Sequence, residues 1–202
     1  MNKKLLFSTE LTEKNRYLQN YLIDKFSRHV YLPASNFLEI GIGNGRFGVL
    51  LGSNVAHYFG IDIDREYVRI ARKNIPKRAN ITYKTGNAEN IPFDRKFDIM
   101  FYSLSWHFIE DKEKALEEAK RVLRPEGIIA VLEPSENVDT KDWASPKLRR
   151  NSPEFNLELW NKKLKAIING RQAILEQRLF KIIEDEYDTK TAANLYILSQ
   201  TS

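Results

Sequence analysis

Four of the chain's nine glycines fall within eight residues, Gly41, Gly43, Gly45 and Gly48, directly after the apolar run Asn36-Phe37-Leu38-Glu39-Ile40. A short apolar run that breaks into glycines reads as a buried parallel strand ending in a tight turn. Glycine there permits positive φ and lets backbone N–H groups approach a ligand without a Cβ in the way. Arg46 to Leu51 then starts a helix, whose first N–H groups face the same turn. Strand, glycine turn and helix together make a nucleotide-type site at the carboxyl end of a strand, where open α/β sheets bind ligands.

The rest of the chain alternates in the same sense. A helix is predicted over Leu11 to His29, from Leu11, Leu18, Tyr21, Leu22, the aliphatic stem of Lys25 and Phe26, with Pro33 marking its end. His57–Asp62 is a second strand, Arg65–Asn74 a helix closed by Pro76, and Ile81–Lys84 a third strand. Phe97–Tyr102 is a fourth strand. Lys112–Leu123 is an amphipathic helix with Ala115, Leu116, Ala119, Val122 and Leu123 on one side, stopped by Pro125 and Gly127. Gly127–Glu133 is the fifth and most apolar strand. Such alternation requires right-handed crossovers and a parallel sheet covered on both faces. Leu179–Tyr187 and Asn194–Ser199 are too close for a helical crossover, so they must pair antiparallel as a hairpin. The expected fold is therefore α/β, a doubly wound, mostly parallel, seven-stranded sheet ending in an antiparallel hairpin.

Composition removes several chemistries. The chain has 202 residues and no cysteine, which excludes disulfides, thiolate metal sites and cysteine nucleophiles. Three histidines, His29, His57 and His107, without an HExxH pattern argue against a metal site. The apolar run at the N-terminus stops at Phe7, too short for a signal peptide, and no stretch reaches membrane-spanning length. A cytoplasmic location is expected. Net charge is +5, and the segment 141–181 alone carries +6, so the basic excess lies in one late stretch. That stretch is either a solvated surface or a contact for an acidic partner such as RNA.

The glycine turn can be read in two registers. Gly43-x-Gly45-x-x-Gly48, with Asp62 19 residues after Gly43, matches a dinucleotide fingerprint. Glu39-x-Gly41-x-Gly43-x-Gly45 places an acid inside the strand and glycines at alternate positions. A dehydrogenase would also need a catalytic domain, for which the chain has little room. No Gly-Lys-Ser/Thr phosphate loop occurs.

Four ordered blocks settle the register by resemblance. Phe37–Phe47, Gly60-Ile61-Asp62-Ile63-Asp64 with Ala71-Arg72, Gly86–Phe93 with Phe97-Asp98, and Arg121–Gly127 together resemble the class I (Rossmann-like) S-adenosylmethionine-dependent methyltransferases. The likeness is to the small-molecule type related to the ubiquinone/menaquinone enzymes, and it covers about residues 37 to 134. Two positions depart from the family pattern: Asn87 stands for the usual aspartate and Glu126 for the first glycine of a pair. An amide carbonyl still accepts a hydrogen bond, so the first departure is tolerable.

The resemblance implies S-adenosylmethionine as cofactor, S-adenosylhomocysteine as product and no metal. It implies that Gly41, Gly43 and Gly45 pass close to the methionine part of the cofactor. Glu39 is implied to orient that region by holding the loop or bonding the ammonium through water, with the capping of loop amides as the plainer alternative. Asp62 is implied to accept both ribose hydroxyls, and Asp64 suits the helix cap better. Ile63 would pack on the adenine face or in the core, Asn87 and Ala88 would read the adenine edge, and Ser103 would touch the cofactor through its backbone.

The segment Tyr102-Ser103-Leu104-Ser105-Trp106-His107 leaves the fourth strand where the acceptor should sit. It lacks the Asn/Asp-Pro-Pro-Tyr/Phe motif of adenine and glutamine N-methyltransferases. Tyr102 and Trp106 are candidate substrate contacts, with core packing as the alternative for Trp106. His107 is a candidate general base if the acceptor is a hydroxyl. A lid insertion is expected over 135–170, with a helix from Ser152 to Gly170 and with Trp143 as a possible pocket residue, joined by Tyr17 and Tyr21 of the first helix. A closing helix and hairpin over 171–202 complete one domain. The expected activity is methyl transfer to a small molecule. RNA or protein methylation, a non-catalytic cofactor-binding protein and a nicotinamide-binding module are the alternatives. The sequence is silent on oligomeric state.

Overall fold

The computed structural model describes residues 13–77, 79–134, 180–188 and 193–201. Their elements follow the order helix α1 (Glu13–Ser27), strand β1 (Asn36–Ile40), α2 (Arg46–Leu51), β2 (His57–Asp62), α3 (Arg65–Lys73), β3 (Ile81–Thr85), β4 (Phe97–Ser103), α4 (Lys112–Val122), β5 (Leu123–Pro134), β6 (Phe180–Asp188) and β7 (Ala193–Gln200). The seven strands form one sheet in the order β3-β2-β1-β4-β5-β7-β6. β1 to β5 run parallel, β7 is antiparallel to β5, and β6 is antiparallel to β7. The parallel sheet and the closing hairpin are those expected from the alternation.

Side-chain alternation along the strands divides the core in two. Phe37, Tyr58, Ile99 and Phe101 join Leu18, Leu22, Phe26, Phe47, Leu50, Val68 and Ala71, so α1, α2 and α3 cover one face. Leu38, Phe59, Met100, Tyr102 and Tyr196 join Ala115, Leu116, Ala119 and Val122, so α4 covers the other. Leu18, Leu22 and Phe26 of α1 are all buried, at about 1.5–3 kcal/mol per side chain. Ion pairs and hydrogen bonds add to the hold on α1. Lys25, expected to contribute only its stem, sends its ammonium to Glu184 (2.5 Å) and Glu186 of β6, and His29 Nε2 lies 3.2 Å from Glu184.

β5 differs from expectation at its start. Leu123, the residue that ends α4, already has extended dihedrals (φ −80°, ψ 145°). It pairs with Phe97, and regular pairing to β4 resumes only at Ile128 after a register shift. Pro125 has no N–H to give a ladder, so strand and helix abut through an irregular stretch rather than a loop.

The chain reverses its direction of winding beside β1: β2 and β3 add on one side, β4 and β5 on the other. The crevice at the carboxyl ends of β1 and β4 is thus the topological switch point, where open sheets take ligands. The lid insertion, Trp143, the helix from Ser152 and most of the basic 141–181 stretch lie outside the described residues. Among the described residues no helix is long and apolar enough to cross a membrane.

Candidate functional site

Gly41, Gly43 and Gly45 have φ of 79°, 51° and 81°, a region L side chains avoid. At Gly41 an added Cβ would run into Ser105, which leaves β4 beside it. At Gly43 a Cβ would meet nothing within 4 Å, so the backbone there borders open space. Gly48 is a different case: its missing Cβ makes room for the Tyr83 hydroxyl, so it serves helix-to-sheet packing.

Asp62, at the end of β2, holds the turn. Its Oδ2 accepts from Gly43 N (2.9 Å) and its Oδ1 from Asp64 N (2.9 Å). Burial pushes the Asp62 carboxyl above its ordinary value, against the opposing backbone hydrogen bonds. Each carboxylate oxygen has two lone pairs, so this geometry leaves acceptor capacity for a ligand. Asp64 is the cap of α3, accepting from Glu66 N at 2.8 Å. Ile63, between them, is 74% exposed, which removes the core reading of that residue.

Glu39 lies beneath the turn and is fully buried. Its Oε2 accepts from the Tyr58 hydroxyl (2.9 Å) and its Oε1 from the Ser103 hydroxyl (2.6 Å). The carboxylate therefore ties β1 to β2 and β4, and the loop-amide cap is not what it makes. Burial pushes its pKa up to about 8, although both hydroxyl hydrogen bonds pull the other way. Arg46, also buried, adds a nearby positive charge, and its Nε and Nη2 donate to Asn15 Oδ1 of α1 at 3.1 and 2.6 Å. Burial lowers the guanidinium to about 10.

After β3, Asn87 is exposed and Ala88 buried. Asn87 Oδ1 accepts from Glu89 N at 2.9 Å, an Asx turn that fixes the side chain and leaves the carbonyl its second lone pair. After β4, Ser103 is buried and engaged through its hydroxyl. Leu104 has φ 56°, the one positive φ at a non-glycine among the described residues. Such a conformation costs about 1–3 kcal/mol and concentrates at functional sites. It is held by Leu104 N donating to Leu132 O of β5 (2.8 Å).

Two expected substrate contacts lie elsewhere. Tyr102 and Trp106 are 0% and 1% exposed and pack edge-to-face at 5.0 Å in the α4-side core. A ring so enclosed has no free face for an acceptor, so both pack as core residues. Tyr17 and Tyr21 stack on each other, and Tyr17 donates to Asp188 of β6 at 2.8 Å. His107 follows β4, and its Nδ1 is 2.5 Å from Oε2 of Glu133, a partner 26 residues away that no local sequence signal pairs with it. Glu133 is a lone acid at the end of the most apolar strand, the same signal that marked Glu39. Among the described residues no group of three or more His, Cys, Asp or Glu is placed to hold a metal.

The turn after β1, Asp62-Ile63 after β2, Asn87-Ala88 after β3 and Ser103–His107 after β4 all stand at one edge of the sheet. Residues 38–131 match the family model described as a methyltransferase domain. An uncharacterized protein of Methanocaldococcus jannaschii is 32% identical over 120 residues, 59% of this chain and 53% of that protein. A ubiquinone/menaquinone biosynthesis C-methyltransferase of Xanthomonas campestris pv. campestris is 34% identical over 121 residues, 56% of this chain and 47% of that protein. The chain spans about half the length of these curated relatives. A SAM dependent methyltransferase from Aquifex aeolicus shares the fold, with a TM-score of 0.66 at 16% identity over 97% of this chain and 95% of that one. Residues 38–131 are thus similar to a methyltransferase domain, carried on a fold shared with a SAM dependent methyltransferase.

Proposed function

We propose that the chain binds S-adenosylmethionine across the carboxyl ends of β1 to β4 and transfers its methyl group to a small-molecule acceptor. The observation that carries this reading is the Gly43–Asp62–Ile63 arrangement: open backbone, a carboxylate with acceptor capacity to spare, and an exposed apolar side chain side by side. These fit, in turn, the methionine part, the ribose diol and the adenine face of the cofactor. Asn87 and Ala88 serve the adenine edge, Glu39 and Ser103 fix the floor, and Gly41 and Gly45 let the chain pass.

The bound cofactor supplies a methyl group on a sulfonium, a good leaving group. The protein's share is then to position the acceptor and exclude water. A small acceptor is supported by the ubiquinone/menaquinone biosynthesis named for one relative. The test is transfer of labelled methyl groups from S-adenosylmethionine into cell extract. Label is expected in the low-mass fraction; label confined to RNA or protein would overturn the small-molecule reading in favour of the basic 141–181 segment.

Ile63 gives a sharper check. Because it is 74% exposed, Ile63→Ala should leave the melting temperature unchanged. Loss of its contact with adenine should weaken S-adenosylhomocysteine by about 5–10-fold, the worth of one modest apolar contact. A lower melting temperature with unchanged affinity would make Ile63 a packing residue instead.

A further inference from the structure

The turn after β4 and the end of β5 meet at one buried carboxylate. Glu133 Oε1 accepts from Trp106 N (2.9 Å), and Glu133 Oε2 lies 2.5 Å from His107 Nδ1. Glu133 is 4% exposed, and the His107 side chain 9%. Burial lowers the Lys112 ammonium of α4 below its ordinary value against the nearby charge of Glu133, and its Nζ donates to Ile109 O at 2.8 Å. Among the described residues His107 Nε2 has no hydrogen-bond partner.

A carboxylate satisfies this arrangement by accepting at both oxygens. The Trp106 N–H is a fixed donor, so Glu133 receives it, and the second oxygen then calls for Nδ1 to carry a proton. The ring is left with its lone pair on Nε2, the form a general base requires. We propose that Glu133 is a positioning residue that holds His107 in the Nδ1–H tautomer, and that Nε2 takes the proton of a hydroxyl-bearing acceptor, phenolic or enolic. This rests on the methyl-transfer reading above. The acceptor's O–H bond breaks toward Nε2, its oxygen pair forms the new C–O bond, and the S–C bonding pair stays with the sulfur. An amine acceptor would attack with a lone pair it already has and need no base beforehand.

Glu133→Gln keeps the shape and changes the logic. If the amide oxygen receives Trp106 N–H, the NH2 faces Nδ1 and forces the proton to Nε2. If it flips, two donors meet at Trp106. Long-range 1H–15N NMR of histidine-labelled protein reads the tautomer without cofactor or acceptor. There are three histidines, so His107→Asn identifies the signal. At a pH where the ring is neutral, wild type should show Nδ1–H and Glu133→Gln should show Nε2–H. Nε2–H in wild type, or the same tautomer in both, would overturn the proposal.

With an acceptor from the labelling screen, Glu133→Gln should lower kcat about 100-fold. KM and S-adenosylhomocysteine affinity should stay within about twofold, as a misfolded site would not allow. His107→Asn should lose as much, and the double variant no more, since the pair acts as a unit. Unchanged kcat, or an acceptor whose reacting atom bears no hydroxyl, refutes the base role. Failure of wild type to bind S-adenosylhomocysteine instead refutes the underlying methyl-transfer reading, whatever the tautomer.

Discussion

Asp62→Ala is expected to weaken S-adenosylhomocysteine binding by about 100-fold or more. Two hydrogen bonds from ribose hydroxyls to an ionised carboxylate are worth about 1.5–3 kcal/mol each, and 1.4 kcal/mol is tenfold in affinity. The substitution also releases Gly43 N, which Asp62 Oδ2 holds at 2.9 Å, so the turn loses its anchor along with the ligand. Asp64→Ala, two residues away, should do the opposite. It removes the cap that accepts from Glu66 N, costs about 1 kcal/mol of stability and leaves affinity within a few-fold. Calorimetric titration of both variants separates the roles. Equal affinity losses would mean that neither carboxylate contacts ribose.

Glu39→Gln should stabilise the protein while impairing the site. The carboxyl is fully buried and its pKa is pushed from 4.5 up to about 8. An acid raised in the folded state holds its proton more tightly there than when unfolded. Wild-type stability is therefore greatest below about pH 4.5 as far as this group is concerned, and falls as pH rises through about 8. At about 1.4 kcal/mol per pH unit, the fall is at most about 5 kcal/mol. Glutamine has no such slope, and the Tyr58 and Ser103 hydroxyls can rotate to suit the amide. Urea unfolding at pH 5 and pH 9 should show the variant's advantage growing with pH. Parallel pH curves would mean that Glu39 stays ionised throughout. Affinity for S-adenosylhomocysteine should drop about tenfold at about pH 8.5, where wild-type Glu39 is mostly ionised and its negative charge favours the ligand's ammonium.

The strands and helices were legible because each carries its own local signal. Asn36–Ile40 breaks into glycines, Asp64 caps α3, and the 180–200 pair is too closely spaced for anything but a hairpin. The cofactor side of the site was legible for the same reason, since Glu39, the glycines and Asp62 sit within one strand-turn-strand stretch. What stayed hidden depends on contacts between distant residues. Trp106 reads the same whether it faces an acceptor or Tyr102, and only the packed sheet turns it inward. The partners of Glu39, on β2 and β4, are 19 and 64 residues away, and Glu133 is 26 residues from His107. The strained φ of Leu104 has no marker either, because leucine is not a residue that announces a left-handed turn.

The most direct test of the account is calorimetric titration of the chain with S-adenosylhomocysteine, with NADH as the control ligand. Saturable binding of one S-adenosylhomocysteine per chain is expected, with no heat from NADH. Binding of NADH in its place, or well-folded protein that takes up neither, would contradict it.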